Sequence, residues 1–294
     1  MSSPYRYDIQ VGSENIPATF TADTGSGIIN FFCSHCVNSP TVYNPFNSTT
    51  RVDSSPRKCA TVVEGSNSTC QWNYTYVPSL EFVAGNITTD RLTILGSNPP
   101  LTLQKAYMGC AYCNNERGVD FPVPCPAFIP AKSSSNGFFG GLDRGASSLI
   151  SQVVASNKSV ADVLGFCTPR FPVPVAGYII LGQARPKGLH VQKTPLLNPK
   201  EFNMVAKALA WNASRTSRLV NRYFSVITHV SFDNYSFAIH NIVNSTAHLD
   251  TGGGPVVSLP QHFYKAYVKA VTARALSLAT HPSTCRQVRY IRLH

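Results

Sequence analysis

The tripeptide Asp-Thr-Gly occurs twice, at Asp23–Gly25 and at Asp250–Gly252, and the two copies have matching surroundings. The first lies in Phe20-Thr-Ala-Asp-Thr-Gly-Ser-Gly-Ile-Ile29 and the second in Ala247-His-Leu-Asp-Thr-Gly-Gly-Gly-Pro-Val-Val257. Each follows a short strand-like run and precedes an apolar pair. With 9 Asp, 22 Thr and 19 Gly in 294 residues, random order would give about 0.04 such tripeptides. Two copies in similar contexts point to an internal repeat, and so to a chain built as two related lobes, each presenting one aspartate at an equivalent place.

The rest of the chain agrees with a two-lobed, β-rich fold. A share of 43% hydrophobic residues can bury a large core, and 294 residues exceed one small module. Short runs rich in β-branched and aromatic residues, bounded by turn formers, predict strands at Tyr7–Val11, Ala18–Ala22, Gln71–Tyr76, Arg91–Leu95, Gly177–Leu181 and Tyr223–Val230. Helical spacing is confined to Ser147–Ser156, with Leu149, Ile150, Val153 and Val154, and to Pro260–Leu278, with Phe263, Tyr264, Tyr267, Val268 and Val271. The expected class is all-β with a few helices. Gln183–Leu196 carries few core-forming residues and serves as the connection between an N-terminal lobe at 1–185 and a C-terminal lobe at 186–294.

The repeat also has a chemical meaning. Two carboxyl groups brought to hydrogen-bonding distance cannot both ionise, so they share one proton and form an acid and a base in one site. The ionised member can take a proton from water as that water attacks a peptide carbonyl, while the protonated member hydrogen-bonds the developing oxyanion. Asp23 and Asp250 are the candidate catalytic pair. Thr24 and Thr251 would brace the two loops, Gly25 and Gly252 would let the backbones approach, and Ser26 would support Asp23. Other hydrolytic signatures are missing: there is no Gly-x-Ser-x-Gly elbow and no His-Glu-x-x-His helix. Neither a metal nor a cofactor is expected. His248 reads as a strand residue, and Trp72 and Trp211 as packing residues.

Compartment and partners follow from cysteines, sequons and charge. Eight Asn-x-Ser/Thr triplets begin at Asn47, Asn67, Asn73, Asn86, Asn157, Asn212, Asn234 and Asn244, against about 3.5 expected by chance. This excess indicates a secreted glycoprotein. In that setting Cys33, Cys36, Cys59, Cys70, Cys110, Cys113, Cys125 and Cys167 are disulfide candidates, and the odd count of nine leaves one cysteine without a partner in this chain. The 74 residues separating the Cys33/Cys36 and Cys110/Cys113 pairs argue against a zinc ribbon. The formal charge of +11 comes from scattered Lys and Arg with no basic run, which excludes a nucleic-acid motif and suits an anionic polysaccharide matrix. No apolar stretch reaches the length of a membrane span. Export would use a signal peptide upstream of Met1, since Met1-Ser-Ser-Pro-Tyr-Arg has no apolar h-region.

The ordered motifs resemble the pepsin-like aspartic proteases, most closely the plant secreted, nepenthesin-like branch. They are also similar to the plant xylanase inhibitors of the same fold. The matching segments are Asp23-Thr-Gly-Ser26, Cys33-x-x-Cys36, Cys59 and Cys70-Gln-Trp-Asn-Tyr-Thr-Tyr76. They continue with Gly137-Phe-Phe-Gly-Gly-Leu-Asp-Arg-Gly145, Ser148-Leu-Ile-Ser-Gln152, Gly165-Phe-Cys167, Tyr178-Ile-Ile-Leu-Gly182 and Asp250-Thr-Gly252. The shared-proton dyad is that family's own chemistry and is carried over by resemblance. The resemblance further implies a bilobal β fold, a monomer, and an extended peptide or protein substrate under a flap whose tyrosine is Tyr76. It implies endopeptidase activity at acidic pH in the apoplast, cell wall or vacuole.

Three departures bear on activity. Val77-Pro78-Ser79 stands where the family's flap has Gly-Asp-Gly, and proline stiffens a hairpin tip. Gly253 stands where a hydroxyl residue would support Asp250, which removes a charge-assisted hydrogen bond worth roughly 1.5–3 kcal/mol. Only 44 residues follow Asp250, and Phe138-Phe139-Gly140 has no second copy after it, so the C-terminal lobe is expected to be incomplete. The competing readings are a catalytically silent, xylanase-inhibitor-like binding protein and an inactive truncated protease.

Overall fold

The computed structural model describes residues 5–33, 43–52, 70–75, 82–97, 99–115, 137–167, 178–182, 195–232, 235–238, 246–252, 265, 268–270, 272–273 and 292–293. The chain divides into two compact units. Met1–Val191 forms one together with Asp250–Gly254; Gln192–Leu249 forms the other together with Pro255–His294. The second Asp-Thr-Gly loop therefore belongs with the unit that carries the first.

The larger unit is built on a seven-stranded sheet of β1 (Arg6–Val11), β2 (Ile16–Asp23), β3 (Ile29–Phe32), β4 (Gln71–Thr75), β5 (Phe82–Ile94), β6 (Leu101–Asn115) and β7 (Gly137–Gly141). The order is β1-β2-β7-β3-β6-β5-β4, and β1 also pairs with β5, so six strands close into a barrel-like ring with β4 appended. Closure removes the exposed edges that an open sheet would present. The β1–β2 hairpin follows from alternation: Ile9 and Val11 on β1, and Ala18, Phe20 and Ala22 on β2, face the interior while their neighbours face out. Its turn is made by Gly12 and Asn15, both at positive φ.

Between β2 and β3 the ring inserts β7, parallel to β2 and antiparallel to β3. Gly140 and Gly141 pair with Ala22 and Asp23, and Gly140 also faces Ile29. Side chains there would collide: a Cβ on Gly141 would lie 2.7 Å from the Gly27 carbonyl carbon, and one on Gly140 would strike the Tyr7 ring. The core beneath is aromatic, with Tyr7 stacked on Phe20 at 5.8 Å and Phe31 edge-on to both Phe20 and Tyr43. The Cys33–Cys110 disulfide ties the end of β3 to the neighbouring parallel strand β6.

The helix α1 (Leu149–Ser156) starts at its N-cap Ser148, whose hydroxyl accepts from Ser151 N. Leu149, Ile150 and Val153 are buried. Gln152 pins the helix to β6, accepting from Tyr107 N at 2.7 Å and donating to Tyr107 O at 3.1 Å. A second polar anchor surrounds the buried Asp90. Its carboxylate accepts from Tyr43 Oη at 2.5 Å, Thr50 Oγ1 at 2.6 Å and Arg91 N at 2.7 Å. The hairpin β8 (Leu164–Cys167) and β9 (Tyr178–Leu181) packs Leu164, Phe166, Ile179 and Leu181 against the same core.

The smaller unit opens with α2 (Pro199–Ala208) and α3 (Ala213–Leu219). Neither was marked by the helical spacing of the sequence. α2 is fixed by a capping box, with Asn198 Oδ1 accepting from Glu201 N and Glu201 Oε2 accepting from Asn198 N, and by Pro199 in its first turn. Phe202, Val205 and Ala206 are its buried face. Phe202 packs against Phe224 at 4.9 Å and Trp211 at 6.0 Å. The predicted strand Tyr223–Val230 divides into β10 (Phe224–Val226) and the start of β11 (His229–Phe232). β10 pairs with β13 (Thr246–His248); β11 pairs with β12 (Tyr235–Ala238) and β14 (Arg292–Leu293). Lys265, Val268–Ala270, Thr272 and Ala273 are helical, within the predicted Pro260–Leu278 segment. Among the described residues no helix is long and apolar enough to cross a membrane.

Candidate active site

Asp23 ends β2 and starts a loop that crosses over β7 before the chain re-enters the sheet as β3. Three backbone bonds fix this loop on the end of β7 and the two residues after it: Leu142 N donates to Asp23 O at 2.8 Å, Gly141 N to Ile28 O at 3.1 Å, and Asp143 N to Ser26 O at 3.1 Å. Ser147 Oγ adds a bond to Gly27 O at 2.7 Å. The buried Asp143 carboxylate accepts from Gly145 N at 2.7 Å and lies against Gly27, where a Cβ would come 2.9 Å from its Oδ2. The sequence had marked Gly137–Gly145 only as a resemblance; its use is to hold the first aspartate loop from below.

The second aspartate loop meets the first through reciprocal bonds. Thr24 N donates to Thr251 Oγ1 at 3.1 Å and Thr251 N donates to Thr24 Oγ1 at 3.0 Å. Thr251 Oγ1 also donates to Ala22 O at 2.7 Å. Within each loop the carboxylate accepts from the amide two residues on, Gly25 N to Asp23 Oδ1 at 2.7 Å and Gly252 N to Asp250 Oδ1 at 2.9 Å. The glycines face the opposite carboxylates. A Cβ on Gly25 would come 2.8 Å from the Asp250 carboxyl atoms, and one on Gly252 would come 2.6 Å from Asp23 Cγ. A side chain at either place would push the two acids apart, and this close approach is why both motifs carry glycine.

The two carboxyl groups differ in surroundings. Asp23 is 2% exposed, whereas Asp250 is open to solvent. Burial pushes the Asp23 carboxyl up to about 7, the charge of Asp250 and a hydrogen bond with it add to the rise, and the Ser26 hydroxyl and Gly25 N–H partly offset it. Burial and the neighbouring charge thus favour the protonated form of Asp23. Tyr7, whose hydroxyl is buried under Gly140, is also pushed up, first by burial and then by the Asp23 charge.

Of the expected site residues, Asp23, Thr24, Gly25, Asp250, Thr251 and Gly252 come together in one place, with Ser26 buried beside Asp23. Tyr76, Gly253, Cys36, Cys59, Cys125 and Cys285 lie outside the described residues. Cys113 and Cys167 are placed by backbone only, on β6 and β8. Cys33 pairs with Cys110, and Cys70 is disulfide-bonded as well. Two roles were not foreseen from sequence: the Ala22 carbonyl as acceptor for Thr251, which no side-chain pattern can signal, and the Asp143 brace. His248 lies on β13, its ring stacked on Phe224 at 4.9 Å. Among the described residues no group of three or more His, Cys, Asp or Glu is placed to hold a metal.

Comparison with known families matches residues 5–183 to the xylanase inhibitor N-terminal family (TAXi_N). The match spans more than half of the chain, so the protein belongs to this family, and its fold is the pepsin-like aspartic protease fold expected from the motifs. Comparison with curated proteins gives no match.

Proposed function

We propose that the protein is an aspartic-type endopeptidase that hydrolyses peptide bonds of extended protein substrates at acidic pH, on a secretory route. The observation that carries this is the interlocked pair of Asp-Thr-Gly loops, in which each threonine bonds the other loop and each glycine faces the opposite aspartate. Asp23, buried and holding the proton, donates to the carbonyl oxygen as negative charge develops on it. Asp250, exposed and facing Asp23, takes a proton from the attacking water. Proton transfer back through the pair to the leaving amine restores the starting state. Chain export is supported by the excess of sequons and by the Cys33–Cys110 disulfide.

A second reading has its own support. The matched family is described as a xylanase inhibitor, so a catalytically silent protein that binds a glycosidase on this scaffold is the alternative. One experiment separates them: incubation of the full chain with an acid-denatured protein from pH 3 to 7, with and without a transition-state mimic. The protease reading expects cleavage that the mimic blocks and that Asp23→Asn abolishes. Tight xylanase binding by a chain that cleaves nothing would replace it with the inhibitor reading.

A further inference from the structure

We infer that Asn47, Asn86, Asn157 and Asn212 each carry an N-linked oligosaccharide on Nδ2. This rests on the export route proposed above and adds to it the positions and the atom used. All four begin an Asn-x-Ser/Thr triplet and all four are exposed.

The hydrogen bonds of these side chains divide in an informative way. Asn212 is the N-cap of α3, its Oδ1 accepting from Arg215 N at 2.8 Å. Asn157 follows α1, its Oδ1 accepting from Ser159 N at 3.1 Å and from Ser159 Oγ at 2.7 Å. A backbone N–H can only donate, so the atom facing it in both residues must be oxygen. Asn47 Oδ1 accepts from Asn44 Nδ2 at 3.3 Å. The direction of that bond is fixed because the Asn44 oxygen is engaged by Phe46 N at 3.0 Å. Asn86 sits outward on β5 and makes no side-chain hydrogen bond among the described residues.

In all four, therefore, Oδ1 does whatever structural duty the side chain has and Nδ2 is left to solvent. Outside the triplets, Asn15 and Asn198 also accept on Oδ1, from Arg91 and Glu201 N, but two others use Nδ2. Asn30, buried, donates its Nδ2 to Ile28 O, and Asn44 donates its Nδ2 to Asn47. Substituting Nδ2 there would break a bond.

In the transfer, Nδ2 attacks C1 of an oligosaccharide carried on a polyprenyl pyrophosphate. The N–C1 bond forms, the C1–O bond breaks, the lipid pyrophosphate leaves, and Nδ2 gives up one proton. Nothing is oxidised or reduced. The product amide keeps its oxygen, so the caps at Asn157 and Asn212 survive modification.

The test expresses the full chain behind an added secretion leader in a eukaryotic host and pools cell material with medium. Glycans are released with a peptide-N-glycosidase in 18O water, which turns each occupied asparagine into 18O-labelled aspartate, and peptides are read by mass spectrometry. Label is expected at all four positions. Ser159→Ala and Ser214→Ala, which keep both asparagine oxygens, are expected to remove label at Asn157 and Asn212 respectively and nowhere else. Recovery of the chain with any of the four unlabelled overturns the assignment at that residue. Because the leader is supplied and no catalysis is read, the outcome is separate from that of the proteolysis experiment.

Discussion

Replacing Thr251 with alanine removes one hydroxyl that serves two groups on the opposite loop. Its Oγ1 accepts from Thr24 N at 3.1 Å and donates to Ala22 O at 2.7 Å. Both partners are interior, Ala22 at 0% and Thr24 at 4% exposure. Withdrawing a partner from a buried polar group costs about 1–3 kcal/mol, so losing it at both groups is expected to destabilise by roughly 2–6 kcal/mol. Thr251→Ser keeps the hydroxyl and is expected to lose less than about 1 kcal/mol. The measurement is equilibrium urea unfolding of wild type, Thr251→Ala, Thr24→Ala and the double variant. Because Thr24 Oγ1 accepts from Thr251 N, the two losses are expected to be non-additive by at least about 0.5 kcal/mol. Peptide cleavage is expected to fall about 100-fold in Thr251→Ala, since the loop that aims Asp250 loses its anchor. A Thr251→Ala protein as stable and active as wild type, or one that serine cannot replace, would refute the interlock.

The pH dependence of stability has a definite sign. Asp23 titrates at about 7 in the folded chain and near 3.9 in the unfolded one, so the folded state holds a proton that the unfolded state releases between those values. Relative to Asp23→Asn, the wild type is expected to lose stability as pH rises through this window, by up to about 1.4 kcal/mol per pH unit, with no difference in slope below about pH 4. Urea midpoints across pH 3 to 8 check it. Reduction of Cys33–Cys110 opens a link spanning 77 positions, and chain entropy sets its loss at roughly 4 kcal/mol. Cys33→Ala with Cys110→Ala is expected to show a fall of that order in thermal unfolding.

The parts of the fold that could be read in the sequence are those encoded locally. Ile9/Val11 and Ala18/Phe20/Ala22 alternate strongly enough to give the first hairpin. Ser148 with Leu149, Ile150 and Val153 gives α1 together with its start. The candidate site was legible because it is written twice: the same tripeptide places a carboxyl, a hydroxyl that bonds the other loop and a close-approach glycine in each copy. What could not be read depends on distant chain segments meeting. Cys33 joins Cys110 because β3 and β6 are parallel neighbours, a fact of topology that spacing between CxxC pairs does not contain. The Asp143 and Ser147 braces exist only because β7 is inserted between β2 and β3. α2 had a local signal in Asn198-Pro-Lys-Glu201, but its apolar face is only Phe202, Val205 and Ala206, too short to stand out in a strand-rich chain. The unequal exposure of Asp23 and Asp250 has no trace in two identical tripeptides.

The most direct test of a shared proton is a carboxyl 13C titration of Asp23 in wild type and in Asp250→Asn. If the pair is coupled, Asp23 titrates near 7 in wild type and at a lower value in the variant, still above 3.9 because burial remains. An Asp23 that titrates near 3.9 in wild type, or one whose midpoint does not move when Asp250 loses its charge, would contradict the paired-aspartate site.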